Sequence, residues 1–477
     1  MASKSLKETW FKHYQTAPRQ LKKMAETKGL VSAFNANIDA VKKISGNDIE
    51  QLIEKLGISS DILLREGQKE IHNFEDVLRG FIRCFRGGMA EEWLIEKEET
   101  FQEIDKYIGY DKMQMGGQGG IVANLMGVCG IDSVYAHCAS LPKEQALLFH
   151  NLENLQSFNV SGKPVKARNI VRTEDVPLIH FIIEFDKGDS CKIGEELMTC
   201  PKANRFIATY DPLNLQLAID KHFDNALKNG DVNFEHIILS GYQMLPENLP
   251  NGKSGIERID ESLEHIKQWQ QKASDHILHF EVASTQDLVI RKKLVNTLGN
   301  HADSLGFNER ELIEILEVLG EDNLAEVCEK NTSASNLFRG MLVLMDTVKA
   351  SRMQLHMFGL YVTIQRKGFV VTPRQNREGM QLAAVIAASK ASTGAVDDYD
   401  ALLSAKDEKV SDISLGELHN LSDYISKEFG DNQLSETGIF EADTFDLIAV
   451  PSIIIDKPVT LVGMGDTISS VSLVGAV

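Results

Sequence analysis

Short runs of β-branched and aromatic residues alternate along the chain with longer stretches in which apolar residues recur every third or fourth position. The first pattern reads as strand and the second as helix, because side chains on a strand repeat every second residue and those on a helix about every 3.6. Strands are predicted at 30–34, 133–137, 236–239, 277–280, 444–450 and 458–462, each followed by polar or Gly-containing turns. Apolar strands separated by helices belong to a mainly parallel sheet covered on both faces, hence an α/β fold. Two stretches break the rhythm. Residues 41–111 are charged and mixed, and 164–185 read as paired strands, with Ile179, Phe181, Ile183 and Phe185 on one face. They are taken as pieces of a smaller α+β domain inserted twice. The expected division is a large domain at 1–40, 112–160 and 206–477 and a small one at 41–111 and 161–205.

A chain of 477 residues can bury a core of this size. Its formal charge of −19 repels a polynucleotide backbone but leaves room for a small anion held by backbone amides, a few Arg or Lys, or a metal ion. The six cysteines, Cys84, Cys129, Cys138, Cys191, Cys200 and Cys328, never stand as C-x-x-C, which favours reduced thiols over a zinc site or disulfide framework. No apolar run approaches the roughly 18 residues of a membrane span. The N-terminal segment lacks the apolar centre of a signal peptide, so the cytoplasm is the expected compartment.

Chemistry concentrates where predicted strands end. Gly463-Met464-Gly465-Asp466 leads from the 458–462 strand into a helix expected to begin near Thr467. Free N–H groups at a helix start, approached through glycines, make a hole for phosphate, and Asp466 beside it is placed to take a proton from an attacking hydroxyl. The same four residues also describe an Asp cap after a Gly turn. Gly116-Gly117-Gln118-Gly119-Gly120 precedes a helical segment without the G-x-G-x-x-G spacing of a dinucleotide site, and fits a sugar ring held against backbone amides or a tight packing turn. Asn35-Ala36-Asn37-Ile38-Asp39 offers several donors and acceptors to sugar hydroxyls, or ordinary turn chemistry. In His279-Phe280-Glu281 and Asn308-Glu309-Arg310-Glu311, spacing puts His279 with Glu281 on one strand face and Asn308 with Glu311 on one helix face. Mg²⁺ keeps several waters, and Glu281 and Glu311 are suited to orient them against a diphosphate.

Taken in order, these five segments resemble the ADP-dependent sugar kinases, the archaeal glucokinase and 6-phosphofructokinase group of the ribokinase-like superfamily, from about Val31 to the C-terminus. The resemblance implies a large ribokinase-like α/β domain, a smaller lid closing over sugar and nucleotide, ADP as phosphoryl donor and AMP as product. It implies sugar contacts at Asp39, Gly117, Gln118 and His180, the last being also readable as a buried strand histidine, and Asn35 and Asn37 join them from the strand-end reading. Nucleotide contacts are implied at Asn308, His356, Met357, Gly463, Gly465 and the backbone around Val450. Glu281, Glu311 and Asp466 are implied around Mg²⁺ or another divalent cation, with Asp466 as the base. At Met357-Phe358 the chain departs from the small polar residue and aromatic that relatives carry.

The acceptor is the finer question. Arg86-Gly87-Gly88-Met89-Ala90-Glu91 is similar to the lid segment that presents a glutamate to glucose, with Glu91 in that place. Lys163, Lys166, Arg168, Arg172 and Arg205 are bases available for a sugar phosphate, and the segment around Arg205 resembles one that contacts phosphate in phosphofructokinases. The expected activity is therefore ADP-dependent phosphorylation of fructose 6-phosphate that also accepts glucose. An ADP-specific glucokinase, an ATP-dependent carbohydrate kinase and a silent sugar or nucleotide sensor are the rivals.

Overall fold

In the computed structural model, residues 2–477 are described except 66, 68, 231, 250, 251, 274 and 286, and at 2–4 only the backbone. Eleven strands form the main sheet, in the spatial order Ile439–Glu441, Phe445–Pro451, Leu360–Arg366, Arg352–Met357, Ser304–Phe307, Ile277–Glu281, His236–Leu239, Leu30–Ala33, Val134–Ala136, Leu155–Phe158 and Pro164–Lys166. Pairing is parallel from Arg352–Met357 to Leu155–Phe158 and antiparallel at both margins. Strands such as Leu30–Ala33, His236–Leu239 and Ser304–Phe307 are buried along their whole length, as a sheet covered on both faces requires.

A second sheet of six strands runs Glu70–Ile71, Glu91–Ile95, Asn204–Tyr210, Ile179–Phe185, Asn37–Lys43, Lys112–Gly116. Its residues alternate between the faces. One face buries Trp93, Phe181, Phe185 and Phe206 with Phe81 and Phe85 of the helix Phe74–Gly87, in a core separate from that of the main sheet. The opposite face carries polar side chains. Gly80 admits Phe206 against the helix, where an added Cβ would lie 2.3 Å from the ring.

The sheets divide the chain differently from the expected ranges. Asn37–Lys43 and Lys112–Gly116 lie wholly in the small sheet, Asn204–Tyr210 completes it, and Pro164–Lys166 instead extends the main sheet beside Leu155–Phe158. The crossing falls at Asn35, whose left-handed φ of 62° turns the backbone from one sheet to the other. Alternation predicts a strand but not which sheet it joins.

One predicted strand is absent: 458–462 is a loop. Val459 and Leu461 are 67% and 69% exposed, so the β-branched run has no face to bury, and Val459 N–H donates to the carbonyl of Ala391, not to a neighbouring strand. Below this loop the helix Pro373–Thr393, started by a Thr372–Gln375 capping box with Pro373 in the first turn, packs on the helix Met464–Val474. Gly379 brings them together, since a Cβ there would meet the Ser472 carbonyl at 2.3 Å. Among the described residues no helix is long and apolar enough to cross a membrane, and all six cysteines are buried free thiols.

Candidate active site

Helix Met464–Val474 starts three residues earlier than expected, with Gly463 as its cap in the left-handed region (φ 63°). Asp466 therefore sits inside the first turn, not at the cap. The first-turn N–H groups of Met464, Gly465 and Asp466 have no acceptor within the helix, which leaves a patch of positive character at the carboxyl ends of the parallel strands. Gln118 ties this turn to the rest of the site: its carbonyl oxygen accepts from Gly241 N–H at 3.0 Å, and its amide hydrogen-bonds the Asp466 carboxylate. Burial pushes the Asp466 carboxyl above its ordinary value, opposed by the Lys390 ammonium and the Gln118 amide.

Behind the turn stands a buried polar network. His279 Nε2 lies 3.1 Å from Glu281 Oε2 and 2.9 Å from Ser469 Oγ, while its Nδ1 meets Ser304 Oγ at 2.9 Å. Arg352, fully buried, donates to Ser304 Oγ at 3.0 Å and to Gln354 Oε1 at 2.8 Å. His356 Nε2 is 3.5 Å from Glu281 Oε1 and packs on Gly465, where a Cβ would lie 2.8 Å from that nitrogen. Burial holds His356 at about 4 and therefore neutral. Gly306 leaves the space that Glu281 fills, since a Cβ there would stand 1.9 Å from Glu281 Oε2. Asn308 and Glu311 form a reciprocal capping box, with Glu311 N–H donating to Asn308 Oδ1 at 3.0 Å and Asn308 N–H to Glu311 Oε2 at 2.8 Å. Burial raises Glu281 well above the carboxylate range and Glu311 to about 8, and Asp466 adds to both.

The residues expected to contact the sugar meet on the polar face of the small sheet. Asn37 Nδ2 donates to Asp39 Oδ1 at 2.9 Å, and Asp39 is in register with His180 and Gln114 on the flanking strands. His180 Nε2 lies 3.2 Å from Asp211 Oδ2 and its Nδ1 3.9 Å from Glu92 Oε1. Burial works against its charged form, but Asp211, Glu92 and Asp39 outweigh it and hold the imidazolium to about 9. Asn35 and Gly117 close the floor: at Gly117 (φ 74°) a Cβ would meet the Asn35 carbonyl at 2.5 Å and Asn37 Oδ1 at 2.7 Å. Among the described residues, the buried Oδ1 atoms of Asn35 and Asn37 meet no donor.

Glu91 requires a correction. Its carboxylate is turned to the helix-covered face, bound by Lys69 at 2.8 Å, Arg83 at 3.1 Å and the Trp93 indole N–H at 3.0 Å. Glu92 is the carboxylate of this pair that lies on the polar face, accepting from Thr209 Oγ1 at 2.6 Å beside His180. The signal was available, because Trp93 and Ile95 mark the core face and strand alternation puts Glu91 with them. Arg205 is exposed on the polar face, in register with Glu184, four pairs along from the His180–Thr209 pair. Lys166 and Arg172 pair with Glu153 and Asp220, and Arg168 donates to the carbonyls of Leu147 and Phe149. Met357 and Val450 are buried strand residues whose side chains lie in the main core. Lys390 and Asp211, which the sequence did not single out, stand in direct contact with the two halves of the site.

A mostly parallel sheet with a glycine turn, free helix N–H groups and an acid at its strand ends, beside a second sheet with a polar face, is the frame of a carbohydrate kinase type of α/β protein. Residues 28–475 match the ADP-specific phosphofructokinase/glucokinase conserved region, and the chain belongs to that family. An ADP-dependent glucose/glucosamine kinase of Pyrococcus abyssi is 31% identical, with 98% of each chain aligned, and an ADP-specific phosphofructokinase of Methanosarcina acetivorans is 27% identical over 93% of this chain and 91% of its own. Among solved structures, the last common ancestor of ADP-dependent phosphofructokinases from Methanosarcinales superposes with a TM-score of 0.86 at 29% identity, covering 100% of this chain and 99% of its own. An ADP-dependent kinase in complex with fructose-6-phosphate and ADPβS does so with 0.81 at 28% identity, covering 98% and 97%.

Proposed function

We propose that this protein transfers the β-phosphoryl group of ADP to a hydroxyl of fructose 6-phosphate, releasing AMP, and that it also phosphorylates glucose. The observation that carries the reading is the position of Asp466. It sits in the first turn of a helix whose N–H groups suit a phosphate, and it is joined through Gln118 to the glycine cluster that floors the sugar face. In this reading Asp466 takes the proton of the attacking hydroxyl, the sugar oxygen bonds to the β-phosphorus, and the bridging bond to the α-phosphate breaks to leave AMP. Its raised pKa makes it a stronger base than an exposed Asp. The first-turn amides of 464–466 hold the transferred group, Asp39, Asn37 and His180 orient the sugar, and His356 and the backbone near Val450 border the nucleotide.

Glu281 and Glu311 fit a divalent cation chemically. Both are buried carboxylates raised by burial and by a third carboxylate, a combination that positive charge relieves. Among the described residues, Glu281, Glu311 and Asp466 do not gather within 4.8 Å of one another, which suits an ion such as Mg²⁺ held through its waters. Such an ion supplies charge neutralisation to the diphosphate.

Glu92 favours a second reading, a glucokinase without phosphofructokinase activity, because a carboxylate beside Asp39 and His180 suits a neutral sugar hydroxyl better than a phosphate. A matrix of ADP or ATP against glucose or fructose 6-phosphate decides among the readings. Turnover with ADP and both sugars is expected. Turnover with glucose alone establishes the second reading, activity with ATP and not ADP removes the donor assignment, and binding without turnover marks a sensor.

A further inference from the structure

Lys390 is lodged against the 463–466 turn, and among the described residues no carboxylate touches its ammonium. The side chain leaves the last turn of helix Pro373–Thr393 and is mostly buried. Its ammonium donates to the carbonyl of Gly463 at 3.2 Å and to Thr467 Oγ1 at 3.2 Å, two neutral oxygens. Among the described residues no carboxylate comes within 4.0 Å of it, and Asp466 is the charged group that acts on it from farther away. Gly463 makes the approach possible, since a Cβ there would lie 3.0 Å from Lys390 Nζ. A buried cation is costly unless an anion or a full set of acceptors meets it, and an ammonium has three donors of which two are placed here.

We propose that Lys390 is a phosphate-binding residue of this site, its third N–H and its charge meeting the β-phosphoryl group of ADP as that group lies on the 463–466 turn. The inference rests on the ADP-donor reading above. It adds to the backbone amides a full positive charge that only the diphosphate, not the product AMP, engages. In the transfer Lys390 exchanges no proton and forms no covalent bond; it neutralises charge on the group that moves from the α-phosphate oxygen to the sugar oxygen.

The alternative is a strut. Lys390 ties the Gly463 turn to the end of the helix on which it packs, and its own carbonyl receives the Gly394 N–H. The two roles differ in what they discriminate. In the Lys390→Met and Lys390→Arg variants, binding of ADP and of AMP is measured by calorimetry alongside kcat, with circular dichroism and melting to verify folding. For the Met variant the expected result is a loss of about 10–100-fold in ADP affinity or kcat, AMP binding close to wild type, and partial recovery in the Arg variant. Equal weakening of ADP and AMP, or no change in either affinity or kcat, overturns the proposal. Should the Met variant not fold, trace acetylation of the wild-type protein reads the same contact: ADP is expected to protect Lys390 several-fold more than AMP, and equal protection overturns it. Wild-type protein that binds ATP but not ADP would instead remove the donor reading itself, an outcome visible before any variant is made.

Discussion

At the scale of single residues the site is organised by which face of the backbone a carboxylate takes. Asp466 lies within hydrogen-bond reach of Gln118 and under the influence of Lys390, so Asp466→Asn keeps the size and the amide contact while abolishing the base. We expect kcat to fall about 10²–10⁴-fold with sugar affinity retained, as for loss of a positioned general base; near wild-type kcat would refute the assignment. Glu91 and Glu92 make the complementary pair. Glu92→Ala is expected to lower kcat/KM for glucose by roughly 10–100-fold, the loss of a charged hydrogen bond, with a smaller effect on fructose 6-phosphate. Glu91→Ala leaves Lys69 and Arg83 without their shared partner and is expected to lower the melting temperature with both sugars' kinetics near wild type. A reversal of the two phenotypes would show that the sheet presents the other carboxylate. Residue types and motif order were legible here; the facing of adjacent glutamates was legible only through Trp93 and Ile95. Lys390 was not, because an apolar helix ending in one lysine looks like any helix end favoured by the backbone dipole.

Elements carry the site to its place through their ends. The candidate site residues of the main sheet stand at the carboxyl ends of its strands or in the turns beyond: Glu281, Asn308, His356 and the Asn35 crossing. Those strands were readable as continuous apolar runs, and the loop at 458–462 shows where the reading fails, since β-branched composition without a neighbouring strand or a buried face makes no strand. The capping box at Asn308 joins local folding to chemistry, because the carboxylate that caps is also one proposed to organise the cation. Asn308→Ala is expected to lower stability in urea unfolding by about 0.5–2 kcal/mol and Asn308→Ser by much less, since Ser caps nearly as well. If the Ser variant is destabilised as much as the Ala variant, the asparagine is needed for something other than its cap.

Across the whole molecule, two separate cores face each other through polar surfaces, and the chain passes between them where Asn35, Gly117 and Asp211 sit. The sequence exposed the existence of a second unit but not its seams, because pairing partners such as Asn37–Lys43 with Lys112–Gly116 are distant in the chain and leave no local signal. His180 lies on the seam: its strand belongs to the small sheet, while Asp211 immediately follows the last small-sheet strand and accepts the Asn214 N–H at 3.0 Å. The groups facing the imidazole are Asp211, Glu92 and Asp39, all acidic, and they hold it to about 9 against an ordinary 6.5. Below 6.5 both folded and unfolded states carry the proton, and the contribution to stability is complete. Between 6.5 and about 9 the unfolded state has released the proton that the folded state keeps, so the contribution shrinks as pH rises and is gone above that range. The stability advantage of the wild type over His180→Asn, measured by urea unfolding across this window, is therefore expected to be largest at the acid end and to decline steadily toward pH 9. A difference that does not change with pH would mean that His180 is held neutral, as a buried strand histidine, and that the three carboxylates around it are balanced by something other than its charge.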